Sequence, residues 1–447
     1  MPVYRQFLRY TIPTVAAMLV NGLYQVVDGI FIGHYMGADG LAGINLAWPV
    51  IATVLGLGML LGVGTGALSS IKQGEGDWDS AKRILATGLI TLVCVAPVIA
   101  VIIYFGAPYF LAWQGADNGG MVLARQYLDV LTVGCVFTLG SIATPFLLRN
   151  DNSPNLATIL MMSGAVTNIV FDYLFIAVMG WQLQGAALAT LLSQMVVTLG
   201  GGRYFFSNRA TLRLTRQCLK VEWQYLPKMV LIGLSSFFMY IYSATTVAFH
   251  NSQLAYYGSS VSIGAYAILG YIITVYYLTV EGIANGMQPL ASFNYGAKNY
   301  QAIRTLLRLS MSIVVLGGIV FVAVVNLFPT AIIGIFNSDD NALIQCAEEA
   351  IRLHLFALFF DGFLVVAGAY FQALGHSRKA MFITVGNISV QLPFLFLLPR
   401  WFGLDGVWLA FPLSNITLSV VVAIMLWWEV RREMPLSRSV YPTECRR

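Results

Sequence analysis

The chain has 447 residues, of which 58% are hydrophobic and only 10% charged. No soluble domain needs that much apolar surface, so composition excludes a soluble enzyme or binding module and describes a membrane protein from end to end. The formal charge of +5 reflects basic residues gathered in loops and gives no support to a nucleic-acid partner.

A helix needs about 20 residues to cross the hydrocarbon core. Gly, Pro and charged residues punctuate the chain into twelve such stretches, beginning near residues 10, 44, 85, 121, 156, 183, 225, 260, 303, 346, 379 and 404. Met1 to Arg9 leads directly into the first span, which leaves no cleavable signal to expect there. Lys and Arg concentrate on the side of the termini, in the loops and helix ends holding Arg5, Lys82, Arg149, Arg216, Lys298 and Lys379 and in a basic tail from Arg431. Only Arg125, Arg352 and Arg400 fall toward the other side. That bias places both termini in the cytoplasm. The cysteines (Cys94, Cys135, Cys218, Cys346 and Cys445) show no CxxC spacing and read as packing residues.

Two halves flank the polar stretch 207–223, and they repeat one another. Gly62-Val-Gly-Thr-Gly66 followed by Gly76 and Arg83 recurs as Gly282-Ile-Ala-Asn-Gly286 followed by Gly296 and Arg304. Arg125-Gln-Tyr-Leu128 recurs as Arg352-Leu-His-Leu355, and Gly185-Ala-Ala-Leu-Ala189 as Gly406-Val-Trp-Leu-Ala410. Matches that keep their order identify an internal duplication. Six helices return the chain to its starting side, so the halves run parallel about an axis along the membrane normal. The expected organisation is a six-helix lobe over 1–206, a linker over 207–223, a second lobe over 224–431 and a tail over 432–447, with substrate held between or within the bundles.

Asp28 and Asp172 each sit inside a long apolar run. A charge at the bilayer centre costs about 3 kcal/mol or more, so an acid kept there reads as a functional group. Asn168 lies one helical turn before Asp172, on the same face. Asp172 precedes the turn at Gly180, and Thr190 follows it on the next, antiparallel helix. At 1.5 Å per residue both lie about 12 to 15 Å below the outer surface, a depth that Asp28 shares. Two carboxylates, an amide oxygen and a hydroxyl make a pocket suited to a proton or to Na+. The plainer reading of each is a hydrogen bond between packed helices, and for Thr190 the two readings balance. The matching stretch of the second half, Asn387 to Phe396, carries no acid.

Asp28 ahead of Phe31-Ile-Gly33, the pair Asn168 and Asp172, Gly185 to Thr190, Glu281-Gly282 and Asn294-Tyr-Gly-Ala297, taken in order, resemble the multidrug and toxic compound extrusion (MATE) family. The resemblance runs from Pro13 to about Arg431 and is nearest to a MepA-like bacterial branch. It implies an all-α integral membrane protein whose twelve transmembrane helices form two pseudo-symmetric six-helix bundles, splayed as a V around a central cavity. It implies a monomer of the bacterial inner membrane that exports cationic or amphipathic drugs in exchange for H+ or Na+, with no cofactor. Carried onto this chain, the cation site is Asp28, Asn168, Asp172 and Thr190, with Tyr127 beside Asp172, while Glu281 and Asp361 become candidates for coupling or substrate contact. An acid that some branches hold in the seventh span has no counterpart, His250 being the nearest polar group there, so the coupling ion stays open.

Rival readings are weaker. A flippase or exporter of lipid-linked or other metabolites on the same fold should carry cationic groups deep in its cavity, and basic residues are essentially absent from the span centres. An intramembrane enzyme needs a constellation, and His34, His250, His354 and His376 are scattered, with no HExxH or GxSxG spacing. Acids placed asymmetrically between the halves argue against a passive channel. The 16 methionines and a 13% share of aromatic residues suit a cavity that holds flat cations.

Overall fold

The apolar stretch Val3–Gly74 is one continuous run of helical hydrogen bonds, α1, which contains Pro13 and Pro49. At 1.5 Å per residue a straight helix of that length would extend about 108 Å, several times the thickness of a bilayer. It instead yields two membrane-length spans, Val3–Met36 and Asp39–Gly74. Packing against α8 (Ser260–Gly296) shows that they fold back on one another: Gly286 lies against the backbone of Thr11, and Gly296 against the backbone of Ile71. Between those glycines α8 advances about 15 Å, whereas a straight α1 would hold Thr11 and Ile71 about 90 Å apart.

The computed structural model describes residues 2–113, 118–215, 220–334 and 341–432. Arg216, Cys218, Cys445 and the tail from residue 433 lie outside the described residues. After α1 come α2 (Trp78–Trp113), α3 (Asn118–Val133), α4 (Cys135–Asn150), α5 (Pro154–Asp172) and α6 (Gln182–Phe205). The second half follows with α7 (Leu226–Tyr257), α8, α9 (Tyr300–Leu327), a short α10 (Pro329–Ile333), α11 (Asn341–His354), α12 (Leu358–Ala373), α13 (Ser377–Leu397), a short α14 (Pro399–Phe402) and α15 (Leu404–Arg432). The pairs α3/α4 and α11/α12, at matching places in the repeat, bend by 68° and 52° at their junctions. Counting each bent pair as one crossing gives twelve spans, and the described residues hold no strand.

The halves differ at their first hairpin. α1 carries its helical hydrogen bonds through the turn, whereas α7 and α8 are separated at Gly258 and Ser259. Ser259 begins α8 with a reciprocal capping box to Ser262, which satisfies free N–H groups of the new helix and makes the break there favourable.

Glycines set where the halves meet. Gly64 lies against the carbonyl of Met229, Gly233 against that of Leu60, Gly74 against that of Phe293, and Gly296 against that of Ile71. A side chain at any of these points would drive backbones apart, so close helix contact depends on small residues, as is common in membrane bundles. All of these contacts lie toward the end of the bundle that carries α1's start and α15's end. The stretch after α6 is fastened to this same end. The Tyr204 hydroxyl and the Thr211 and Leu212 N–H groups donate to buried Asp151 at 2.7, 2.9 and 2.7 Å, and Arg83 pairs with Glu222 at 3.0 Å.

Candidate functional site

Asp172 ends α5 at the point where the helix widens into a π-helical turn, Tyr173–Val178. Such turns re-aim side chains and recur at functional sites; nothing in the local composition announces this one. One turn earlier, Asn168 Nδ2 donates to Thr190 Oγ1 of α6 at 3.4 Å. Asp28 comes from the first span of α1 and lies within electrostatic reach of Asp172. Tyr127 of α3 faces Thr190 and both carboxylates, and Tyr24 of α1 joins them. The fold therefore assembles Asp28, Asn168, Asp172, Thr190 and Tyr127 from four helices into one cluster.

Its chemistry shows in what is unpaired. Asp172 and Asn168 are wholly buried, yet both carboxylate oxygens of Asp172, Oδ1 of Asp28 and Oδ1 of Asn168 have no hydrogen-bond partner. Buried polar atoms are nearly always paired, and acceptor oxygens with no donor to meet describe a place for a proton or a small hard cation. Among the described residues no group of three or more His, Cys, Asp or Glu could hold a metal ion. The donor set is thus oxygen-based and suits H+ or Na+ better than a transition metal.

A separate cavity of about 890 Å³ is lined from both halves but mainly from the second. It runs from Trp48 and Tyr271 down to Gln288 and Gln372. Its mouth lies toward the end with the α1 turn and the α7/α8 break. Its floor is polar and closed: Gln372 Nε2 donates to Ser235 and Ser236 at 2.5 and 2.8 Å, and Asn150 Nδ2 reaches Gln288 Oε1 at 3.3 Å from one half to the other.

The cavity divides the residues singled out in the sequence. Glu281 and Asp361 line it, whereas Asp28, Asn168, Asp172, Thr190 and Tyr127 do not. Asp361 is buried among tyrosines, within electrostatic reach of Tyr242, Tyr276 and Tyr277. Among the described residues no Lys or Arg lines the cavity.

Two features escaped the sequence reading. His250 and His354, far apart in the chain, are both buried, with ring centroids 5.6 Å apart; His250 also stacks on Tyr266 at 5.3 Å. Their Nδ1 atoms lie 3.1 and 3.0 Å from the carbonyls of Thr246 and Trp408. The repeat carried a signal, since it aligns His354 with Tyr127. Arg149, expected at a solvated helix end, occupies the last turn of α4 with 0% exposure. Its guanidinium is covered by Met161 of α5 and the Phe146 ring, and no local pattern reports it.

The MatE family profile matches residues 13–174 and 232–397, one block in each half. The multidrug export protein MepA of Staphylococcus aureus (strain NCTC 8325 / PS 47) is 25% identical over 409 residues, covering 91% of this chain and 89% of its own. MepA of Staphylococcus saprophyticus subsp. saprophyticus is 23% identical over 439 residues, covering 98% and 96%. A solved outward-facing multidrug resistance MATE family transporter superposes with a TM-score of 0.91 at 24% identity, covering 96% of each chain. A transporter of the MOP superfamily from Pyrococcus furiosus, whose binding pocket is described as reversed in polarity, superposes with a TM-score of 0.90 at 24% identity.

Proposed function

Because this chain belongs to the MatE family, whose members are transporters and not enzymes, we propose that it is a secondary antiporter that exports cationic or amphipathic compounds, drugs among them, in exchange for H+ or Na+. One observation carries this reading: the buried oxygens without partners lie off the cavity, while the carboxylates of Glu281 and Asp361 lie on it. Small coupling cation and bulky cargo would then have separate places to bind.

The acidic lining, with no Lys or Arg among the described residues, favours a cationic cargo over a phosphate-bearing lipid. In the coupling step H+ or Na+ arrives at Asp28, Asn168, Asp172 and Thr190 and neutralises the carboxylates. Neutralisation removes the cost of desolvated charge, changes how α1, α5 and α6 pack, and lowers affinity for the positively charged cargo in the neighbouring cavity. With the termini in the cytoplasm of a bacterial cell the cavity faces outward, and cargo leaves by its mouth. The membrane potential contributes about 2.3 kcal/mol per net charge per 100 mV, so it assists when more charge enters than leaves. The working unit is a single chain, since cluster and cavity are both complete within it.

The test is ethidium efflux from energised inner-membrane vesicles under an imposed Na+ gradient or an imposed pH gradient. Wild type should respond to one gradient and thereby name the ion, while Asp172→Asn should respond to neither. Full efflux by the variant would remove the cluster from the mechanism.

A further inference from the structure

Arg149 is a charge buried without a direct answer to it. Its guanidinium is wholly shielded. Nη2 meets only the Met161 thioether at 3.4 Å, the group lies 5.3 Å over the Phe146 ring, and Nε and Nη1 have no partner. A desolvated arginine needs an opposite charge. Among the described residues the charge that acts on it is Glu281, and Arg149 acts on Glu281 in return, although the two form no direct ion pair.

These residues sit on α4 and α8, helices of opposite halves that meet at the cavity floor. Asn150, the next residue along α4, bonds to Gln288, two turns along α8 from Glu281. If the floor opens by parting this α4–α8 contact, Arg149 is withdrawn from Glu281, and closing returns the positive charge. We propose that Arg149 is a positioning residue that weakens the hold of Glu281 on a cationic substrate whenever the floor is closed. The inference rests on the reading of Glu281 as the counter-charge for cargo in the cavity.

An exporter requires such a device. A substrate bound equally well with the floor open and closed gains nothing from the change of state. Like charges interact strongly across low-dielectric protein, so a cation at Glu281 is less welcome once Arg149 has returned. The floor-closed conformation seen here becomes the low-affinity one, while a small cation held at Asp172 stays away from the exchange.

The experiment is equilibrium ethidium binding to the purified full-length protein in detergent. Arg149→Met should tighten binding about fivefold, with Arg149→Gln as a second uncharged variant should Met fail to accumulate. Arg149→Lys should return the dissociation constant toward the wild-type value. In a Glu281→Gln background, removing the arginine charge should change affinity by less than about twofold, which a purely structural role for Arg149 would not produce. If Glu281→Gln weakens binding but Arg149→Met leaves it unchanged, or if Arg149→Met acts equally in both backgrounds, the inference falls and the reading of Glu281 stands. If Glu281→Gln itself has no effect on binding, both fall together.

Discussion

The first half buries its membrane acids away from the cavity and the second half displays its own on the cavity wall. Asp28 and Asp172 converge in a buried cluster away from the cavity, while Glu281 and Asp361 line the cavity wall. The same helix topology thus separates a pocket fit for a proton or Na+ from a chamber fit for a drug-sized molecule. The difference arises locally. In the first half α5 loosens into a π turn next to Asp172 and leaves its oxygens unsatisfied. In the second half the matching helix α13 carries no acid, and its Gln391 is tied to the Tyr242 hydroxyl at 2.7 Å.

The largest effect that would break this contrast is expected at Asp172. Asp172→Asn keeps the size of the side chain but removes its charge; under the proposed antiport, efflux should fall to the level of vesicles lacking the protein, with thermal melting of the purified variant within a few degrees of wild type. Next comes an acid of the first half that lies outside the spans. Asp151→Ala leaves the Tyr204 hydroxyl and two N–H groups of the following stretch without their acceptor. It should destabilise the protein by about 3 kcal/mol, read as a lower melting temperature, while ethidium affinity is retained.

Glu281→Gln tests the displayed acids. It should raise the ethidium dissociation constant about tenfold, equivalent to about 1.4 kcal/mol, and leave the coupling ion unchanged. Loss of Na+ or H+ dependence in this variant instead would merge the two sites into one. The smallest effect is expected at Thr190→Val, which deletes the hydroxyl that Asn168 contacts at 3.4 Å. The ion concentration for half-maximal efflux should rise about threefold, in keeping with one weak hydrogen bond.

Much of this was legible in the sequence because hydrophobic length is a local property. Twelve apolar stretches read from punctuation correspond to the spans of the fold, and the one-turn spacing of Asn168 and Asp172 placed both on one face. The repeat announced the duplicated architecture through Gly62 to Gly66 and Gly282 to Gly286. Local patterns are silent where helices from distant parts of the chain meet. Arg149 looked like an ordinary basic helix end, and only the packing of α4 on α5 shows it buried, within electrostatic reach of Glu281 on α8. His250 and His354 looked scattered, and the fold sets them edge to face in one aromatic nest with Tyr266.

By itself the sequence determined that the chain spans a membrane many times, that it is built from two related halves, and that it carries rare acids inside its apolar runs. Those facts follow from transfer costs that each residue meets wherever its neighbours lie. Only the tertiary structure decided which acids share a pocket, which face the cavity, and that a fully buried arginine stands behind one of them. Distances across helices are set by how side chains and glycines let backbones approach, and no single stretch of chain contains that information.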